Sequence, residues 1–238
     1  GGNRYYVNSR GIRQTGWLFS GGKWYFFIKS SGALLKNSWL TSEKKIYCAG
    51  SDGAMYAGGM RRINNRSGSY YYAFSARGIR LTGMRSYGGK TYFFETKADG
   101  MRPDQSGQGR MVTSQWRTWK NNQYYFTSSG AAAKNQSVGL YYVNAYGARV
   151  KNTWKGSRYY GSTGKAVSGL QTIGGVYYYF NTKTYEKVTN TTVKTGGVTY
   201  VFDSEGKGTI RREDKAPATT VNVQSTYYTD KYVDDETL

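Results

Sequence analysis

Few side chains in this sequence are equipped for covalent or acid–base chemistry. Histidine is absent and cysteine occurs once, as Cys48, so neither a zinc site nor a Cys–His nucleophile can be assembled. Cys48, in Tyr47-Cys48-Ala49-Gly50, reads instead as a small buried strand residue. Residues 1–210 hold eight carboxylates: Glu43, Asp52, Glu95, Asp99, Asp104, Glu186, Asp203 and Glu205. Hydrolysis would need a tuned pair of them, whereas several stand beside glycines, where turn formation accounts for them. The expectation is a chain with no catalytic centre, no metal and no cofactor.

What remains is the chemistry of recognition. The chain has 25 Tyr, 9 Phe and 6 Trp, and its 34 Lys and Arg outnumber 14 acids to leave a formal net charge of +20. Ring faces attract cations and pack on apolar surfaces, while a basic field favours polyanions. The surplus belongs to residues 1–210, which carry +22, because residues 211–238 hold four basic and six acidic side chains. Interleaved rings and cations also suit stacking on single-stranded nucleic acid. Nothing here resembles an RNA-recognition sheet motif, an oligonucleotide-binding barrel or a helix-turn-helix, so nucleic acid is disfavoured. A solvated basic surface with no dedicated partner stands as the plain alternative.

The elements that must carry these rings follow from the spacing of glycine. Leu, Ile, Val and Phe make up under a fifth of the chain, which with this charge would by composition alone indicate disorder. The tyrosines overturn that reading, since each aromatic ring buries roughly 150–250 Å². A unit recurs: a Gly-containing turn, an aromatic strand, a polar loop ending in Gly, and a short strand bearing Trp or Met. Gly21-Gly22-Lys23-Trp24-Tyr25-Phe26-Phe27 leads to Gly32 and Trp39, and runs starting at Gly88, Gly174 and Gly196 repeat the pattern. Loop glycines fall at 11, 32, 53, 78, 100, 130, 147, 164 and 206, with Tyr185 standing where one is missing. That makes ten units at a period near 21.

Each unit has the signals of a β-hairpin. Gly21-Gly22, Gly88-Gly89, Asn121-Asn122 and Gly174-Gly175 suit two-residue turns with positive φ, and the Tyr- and Phe-rich runs beside them suit strands. A lone hairpin is marginal in water, so the units must stack to hide their rings. The predicted fold is all-β, an elongated solenoid of about ten stacked hairpins with no helices of note. Residues 1–210 are read as the array, which starts in the register of a hairpin turn as if cut from a longer one. Residues 211–238, with Lys215-Ala216-Pro217-Ala218-Thr219-Thr220, are read as a linker-like tail to a further domain. No apolar run approaches the ~18 residues of a membrane span.

Thr15-Gly16-Trp17-Leu18, followed by Gly22-Lys23-Trp24-Tyr25-Phe26-Phe27 and Gly32, resembles the cell-wall-binding repeats of Gram-positive surface proteins. That superfamily includes choline-binding repeats, glucan-binding repeats of glucosyltransferases and the C-terminal repeats of clostridial toxins. The resemblance covers about residues 1–208. It implies a stack of hairpins, a secreted or wall-attached location, and a non-catalytic role in holding a partner domain on a surface polysaccharide or teichoic acid. The closing residues 233–238 faintly resemble the lead-in to wall hydrolase domains. A structural reading stands beside it: an assembly, appendage or adhesin component whose hairpin faces contact other chains, homo-oligomerisation included.

In choline-binding members the ligand lies between hairpins in an aromatic cage. Carried over, the first cage uses Trp17 and Trp24 with Trp39 from the next unit, Tyr25 flanking, and further candidates are Trp116, Trp119 and Trp154. Later units depart from the pattern. The place of Trp17 passes to Met60, Met84, Val138, Leu170 and Val193, and that of Trp24 to Thr91, Gln123, Arg158, Val176 and Val198. Asp52-Gly53 and Asp99-Gly100 keep the Asp or Asn that the family commonly places before the loop glycine, whereas Arg10-Gly11, Arg77-Gly78 and Tyr146-Gly147 do not. For each ring the competing role is packing between hairpins.

Overall fold

The computed structural model describes residues 2–96 and 106–212. The expected tail from residue 213 onward, the loop glycine at 100 and Asp104 lie outside the described residues. Among the described residues there is no helix, and so none long and apolar enough to cross a membrane. The chain forms two compact units, residues 1–167 and 168–238.

The first unit is a run of antiparallel hairpins. β1 (Gly16–Ser20) pairs with β2 (Lys23–Phe27), and β3 (Ser38–Ser42) pairs with β4 (Lys45–Ala49). The longer β5 (Gly59–Asn65) and β6 (Gly68–Phe74) follow, with β7 (Arg80–Leu81) added to the edge of β6. Next come β8 (Gly83–Tyr87) with β9 (Lys90–Phe94) and β10 (Gln115–Trp119) with β11 (Asn122–Phe126). Two short hairpins close the unit: β12 (Gln136–Val138) with β13 (Tyr141–Val143), and β14 (Thr153–Lys155) with β15 (Arg158–Tyr160). In the second unit β16 (Gly169–Ile173) pairs with β17 (Val176–Phe180), and β18 (Thr191–Thr195) with β19 (Val198–Phe202). There β20 (Gly208–Ile210) bridges β17 and β19 into one five-stranded sheet.

The buried column of the array is the last residue of each second strand. Phe27, Ala49, Phe74, Phe94, Phe126, Val143 and Tyr160 in the first unit are at most 5% exposed, as are Phe180 and Phe202 in the second. Each such aromatic contributes on the order of 2 kcal/mol by leaving water. Stacking is completed by the backbone. At several steps the N–H of the second residue after the loop glycine donates to a carbonyl of the preceding unit: Met55 to Trp24 at 2.8 Å, Met111 to Tyr71 at 2.9 Å, Ala132 to Thr91 at 2.7 Å, Arg149 to Gln123 at 2.8 Å. At these steps one hydrogen bond holds the loop on its predecessor.

The loops also show why glycine recurs. Gly147 has φ +81°, and a Cβ there would lie 3.0 Å from the Ala133 carbonyl of the preceding loop. Tyr185 supplies the missing loop glycine, and it adopts φ 61°, a left-handed conformation that costs a side-chain-bearing residue about 1–2 kcal/mol. In the loop after β9, which holds the one long insertion, Gly109 donates to the Glu95 carbonyl at 2.7 Å, the bond that loop glycines make elsewhere.

Candidate functional site

Trp154, opposite Tyr159, stands where three other tryptophans stand in their own hairpins, paired across the strand with the penultimate residue of the second strand: Trp17 with Phe26, Trp39 with Cys48, Trp116 with Tyr125. Each of these three meets a tyrosine of the following hairpin, two residues before that hairpin's buried end. Trp17 and Tyr47 are 4.8 Å apart at 67°, Trp39 and Tyr72 4.9 Å at 66°, Trp116 and Tyr141 5.4 Å at 72°. The repeat thus builds one edge-to-face corner three times. What fills each corner differs.

At the first corner Trp24 adds a third wall, 6.0 Å from Trp17 at 89°. Trp24 is 44% exposed and leans on Phe19, its cross-strand partner. The recess, about 410 Å³, is lined by Trp17, Trp24, Tyr47, Glu43, Lys45, Arg77 and Ile79. Trp17 is held from behind, its Nε1 donating to Ser42 Oγ at 3.3 Å. Glu43, at φ 48° in the turn between β3 and β4, brings a carboxylate near the Tyr47 ring. Burial, then the Glu43 charge, pushes the Tyr47 phenol above its ordinary value. Among the described residues no Lys or Arg stands over the faces of Trp17, Trp24 or Tyr47. Rings with an open face and a carboxylate at the rim suit a cation or the apolar face of a sugar.

Trp39 does not join Trp17 and Trp24. It belongs to the next junction, packed with Tyr72, Phe74, Cys48 and Ile63. Its Nε1 donates to Asn65 Oδ1 at 3.1 Å, Asn65 Nδ2 donates to the Tyr72 hydroxyl at 2.5 Å, and the Arg80 guanidinium carbon lies 5.7 Å from the Trp39 ring. Trp39 also lines a polar groove of about 680 Å³ with Asn37, Arg62, Asn64 and Arg66. Tyr25 pairs with Leu18, and strand alternation sets it on the opposite face from Trp17 and Trp24. It is the counterpart of Tyr47 in the previous unit.

Trp116 and Trp119 lie on opposite faces of β10. Trp119 is packing: it meets Phe93 at 5.7 Å within the cluster of Phe93, Val112 and Phe126, and its ring fills the space over Gly83. Trp116 meets Tyr125 at 5.4 Å and Tyr141, and the Arg149 guanidinium carbon sits 4.8 Å from the Tyr141 centroid and 5.9 Å from that of Trp116. Trp154 packs on Tyr159, its cross-strand partner, at 5.2 Å.

The strand register corrects five of the equivalences expected from spacing. The residues in the place of Trp17 are Ser137, opposite Tyr142, and Thr192, opposite Val201, instead of Val138 and Val193. Counted back from the buried strand end, the place of Trp24 falls on Ser157, Tyr177 and Thr199 instead of Arg158, Val176 and Val198. Counting forward from the turns slipped by one residue, and a slip of one turns a side chain to the other face. Tyr47 was missed for the same reason. It stands one residue before Cys48 with nothing local to set it apart from two dozen other tyrosines.

The basic residues in the second place after the loop glycine were also not anticipated. Arg13 stands over Tyr5 at 4.5 Å, Arg149 over Tyr141, and Lys187 over Tyr178 at 6.0 Å. Cys48 is 2% exposed and burial pushes its thiol up to about 12, so it carries no thiolate at neutral pH. Among the described residues no cluster of three metal-ligating side chains exists.

Short aromatic hairpins with ring-lined corners between successive hairpins make a repeat-built array, and comparison with known proteins finds similar repeats. The choline-binding repeat family matches residues 1–39, and a cell wall binding repeat family matches residues 114–132 and 168–183. Glucosyltransferase-S of Streptococcus mutans is 26% identical over 182 residues, covering 74% of this chain and 10% of the relative. Glucosyltransferase-I of Streptococcus downei is 26% identical over 170 residues, covering 56% and 11%. The chain therefore spans about a tenth of the curated relatives it matches. In fold it is similar to the choline-binding domain of CbpL from Streptococcus pneumoniae, with TM-score 0.64 at 23% identity over 84% of this chain and 100% of that one. The autolysin LytC of the same organism gives TM-score 0.59 at 20% identity, over 83% and 47%. Segments at the start, middle and later part of the chain thus match choline-binding and cell wall binding repeats, and together with the glucosyltransferase relatives they support a cell-wall-binding repeat family.

Proposed function

We propose that the array is a non-catalytic module that holds a secreted protein on a surface polymer of a Gram-positive cell, carbohydrate or teichoic acid, and that its ligand enters at the first corner. The carrying observation is the recess of Trp17, Trp24 and Tyr47 with Glu43 at its rim. Among the described residues no Lys or Arg stands over the faces of its rings, and the match to choline-binding repeats falls on the segment that supplies Trp17 and Trp24. The +22 on residues 1–210 adds a long-range attraction for phosphate-bearing polymers. Nothing in the geometry favours the alternative of a structural assembly component.

Co-sedimentation with purified Gram-positive cell walls, and with isolated glucan and teichoic acid, tests the reading. The wild-type chain should sediment with at least one of them, and Trp17→Ala with Trp24→Ala should weaken retention about tenfold or more. Free choline as competitor separates a quaternary-ammonium ligand from a sugar. Equal retention of the wild type and the double variant would overturn the site, and no retention on any of the polymers would overturn the function.

A further inference from the structure

The three Trp/Tyr corners are alike in distance and angle, yet in two of them the chain's own arginine lies over the rings. At the Trp116 corner the Arg149 guanidinium carbon is 4.8 Å from Tyr141 and 5.9 Å from Trp116, inside the range of a cation–π contact. Among the described residues Arg149 has no carboxylate partner, and its Nε is buried with no hydrogen-bond partner. Gln123, which stands where the first corner has Trp24, likewise has a buried Oε1 with no partner. The guanidinium charge is therefore answered by the ring faces. Room for the side chain comes from Gly164 in the following loop, where a Cβ would come within 3.0 Å of Arg149 Nε. At the Trp39 corner Arg80, 7% exposed, does the same at 5.7 Å and is anchored by Gln108 Oε1 at 2.7 Å.

Both arginines occupy one place in the repeat, the second residue after the loop glycine. Arg13 and Lys187 hold the same place, over Tyr5 and Tyr178, whereas Leu34, Met55, Met111, Ala132 and Ala166 there carry no charge. The hairpin that supplies Tyr47 to the first corner is followed by Met55. The residue after the loop glycine thus decides whether an aromatic corner is closed by the protein or left to something else.

We propose that the Trp116/Tyr141 corner is a cation site occupied by Arg149 of the same chain, and that exchanging Arg149 for the apolar residue of sister units opens it to an external organic cation of the quaternary-ammonium class. This deepens the reading of the first corner as a ligand site but concerns a different corner, 99 residues along by the Trp17 to Trp116 count.

Arg149→Met is the test, since Met55 and Met111 show that the repeat accepts methionine there. The full chain, as wild type, Arg149→Met, and Arg149→Met with Trp116→Ala, is titrated with tetramethylammonium chloride and with choline chloride by calorimetry at fixed ionic strength. Sodium chloride serves as the control titrant, and the far-ultraviolet dichroism of each variant is compared with wild type. Arg149→Met should gain one equivalent of cation binding, at least about tenfold tighter at this corner than wild type, and Trp116→Ala in that background should remove it. A folded Arg149→Met that gains no equivalent overturns the proposal, as does a gain that survives Trp116→Ala. Loss of fold in Arg149→Met also counts against it, because the argument requires methionine to be accepted at this place. The first corner reports separately: cation binding by wild type that Trp17→Ala abolishes belongs to it, so failure of either corner leaves the other readable.

Discussion

The corner of Trp17 and Tyr47 and the corner of Trp116 and Tyr141 are built from the same two places of the repeat, at 4.8 and 5.4 Å. Two of the differences around them bear on access to the rings. Trp24 walls the first and Gln123 the second; Met55 follows the loop glycine at the first and Arg149 at the second. The first is an open recess with Glu43 at its edge, and the second has a guanidinium over its rings. In this array the aromatic frame is common property, and the residues around it decide whether a frame receives a ligand. A tryptophan at the right spacing therefore marks a junction without marking a site.

The comparison is broken most severely from beneath. Phe126 is fully buried at the end of β11, under the Trp116 hairpin and in the cluster with Phe93 and Val112, so Phe126→Ala should cost about 3–5 kcal/mol. Urea unfolding checks this, and a loss under 1 kcal/mol would mean that the second corner is not seated on that column. Next is the loop that presents Arg149. Gly147→Ala places a side chain at φ +81° and against the Ala133 carbonyl, for a loss of about 2 kcal/mol.

Alkaline pH sharpens the contrast between buried and open groups. Burial raises the Cys48 thiol from 9.0 to about 12, so the folded state holds this proton more tightly than the unfolded one. The resulting stability is fully present below pH 9 and drains away as pH rises towards 12, at up to about 1.4 kcal/mol per pH unit. Unfolding of wild type and Cys48→Ala at pH 7.5, 9 and 10.5 should show their difference shrinking above pH 9; a constant difference would contradict it. The smallest effect on stability belongs to the open corner. Trp24 is 44% exposed, so Trp24→Ala should cost less than about 1 kcal/mol while weakening wall retention about tenfold. A large destabilisation there would make Trp24 mortar like Trp119.

Much of the fold was legible because it is written locally. Gly-Gly and Asn-Asn turns flanked by tyrosine runs specify hairpins without reference to anything distant, and Tyr185 could be named as the substitute for a loop glycine from spacing before its φ of 61° was seen. Trp17 and Trp24 were legible as a pair because both lie in one hairpin. Trp39 was assigned to their corner and belongs to the next, since its nearness along the chain says nothing about which face of the following hairpin it meets. Trp119 looked like a companion of Trp116, three residues away, but an odd spacing on a strand sends the two to opposite faces.

By itself the sequence determined that this is a chain of short aromatic hairpins, rich in cations and poor in catalytic groups, because turn chemistry, strand propensity and composition act over a few residues. Only the tertiary structure decided which tyrosine of the next hairpin turns each tryptophan into a corner, and which arginine reaches over it. Those contacts span Trp17 to Tyr47 and Trp116 to Arg149, and they depend on strand register and on the stacking of successive units. A one-residue slip in the first, or one apolar residue in place of an arginine in the second, changes the outcome while the local pattern stays the same.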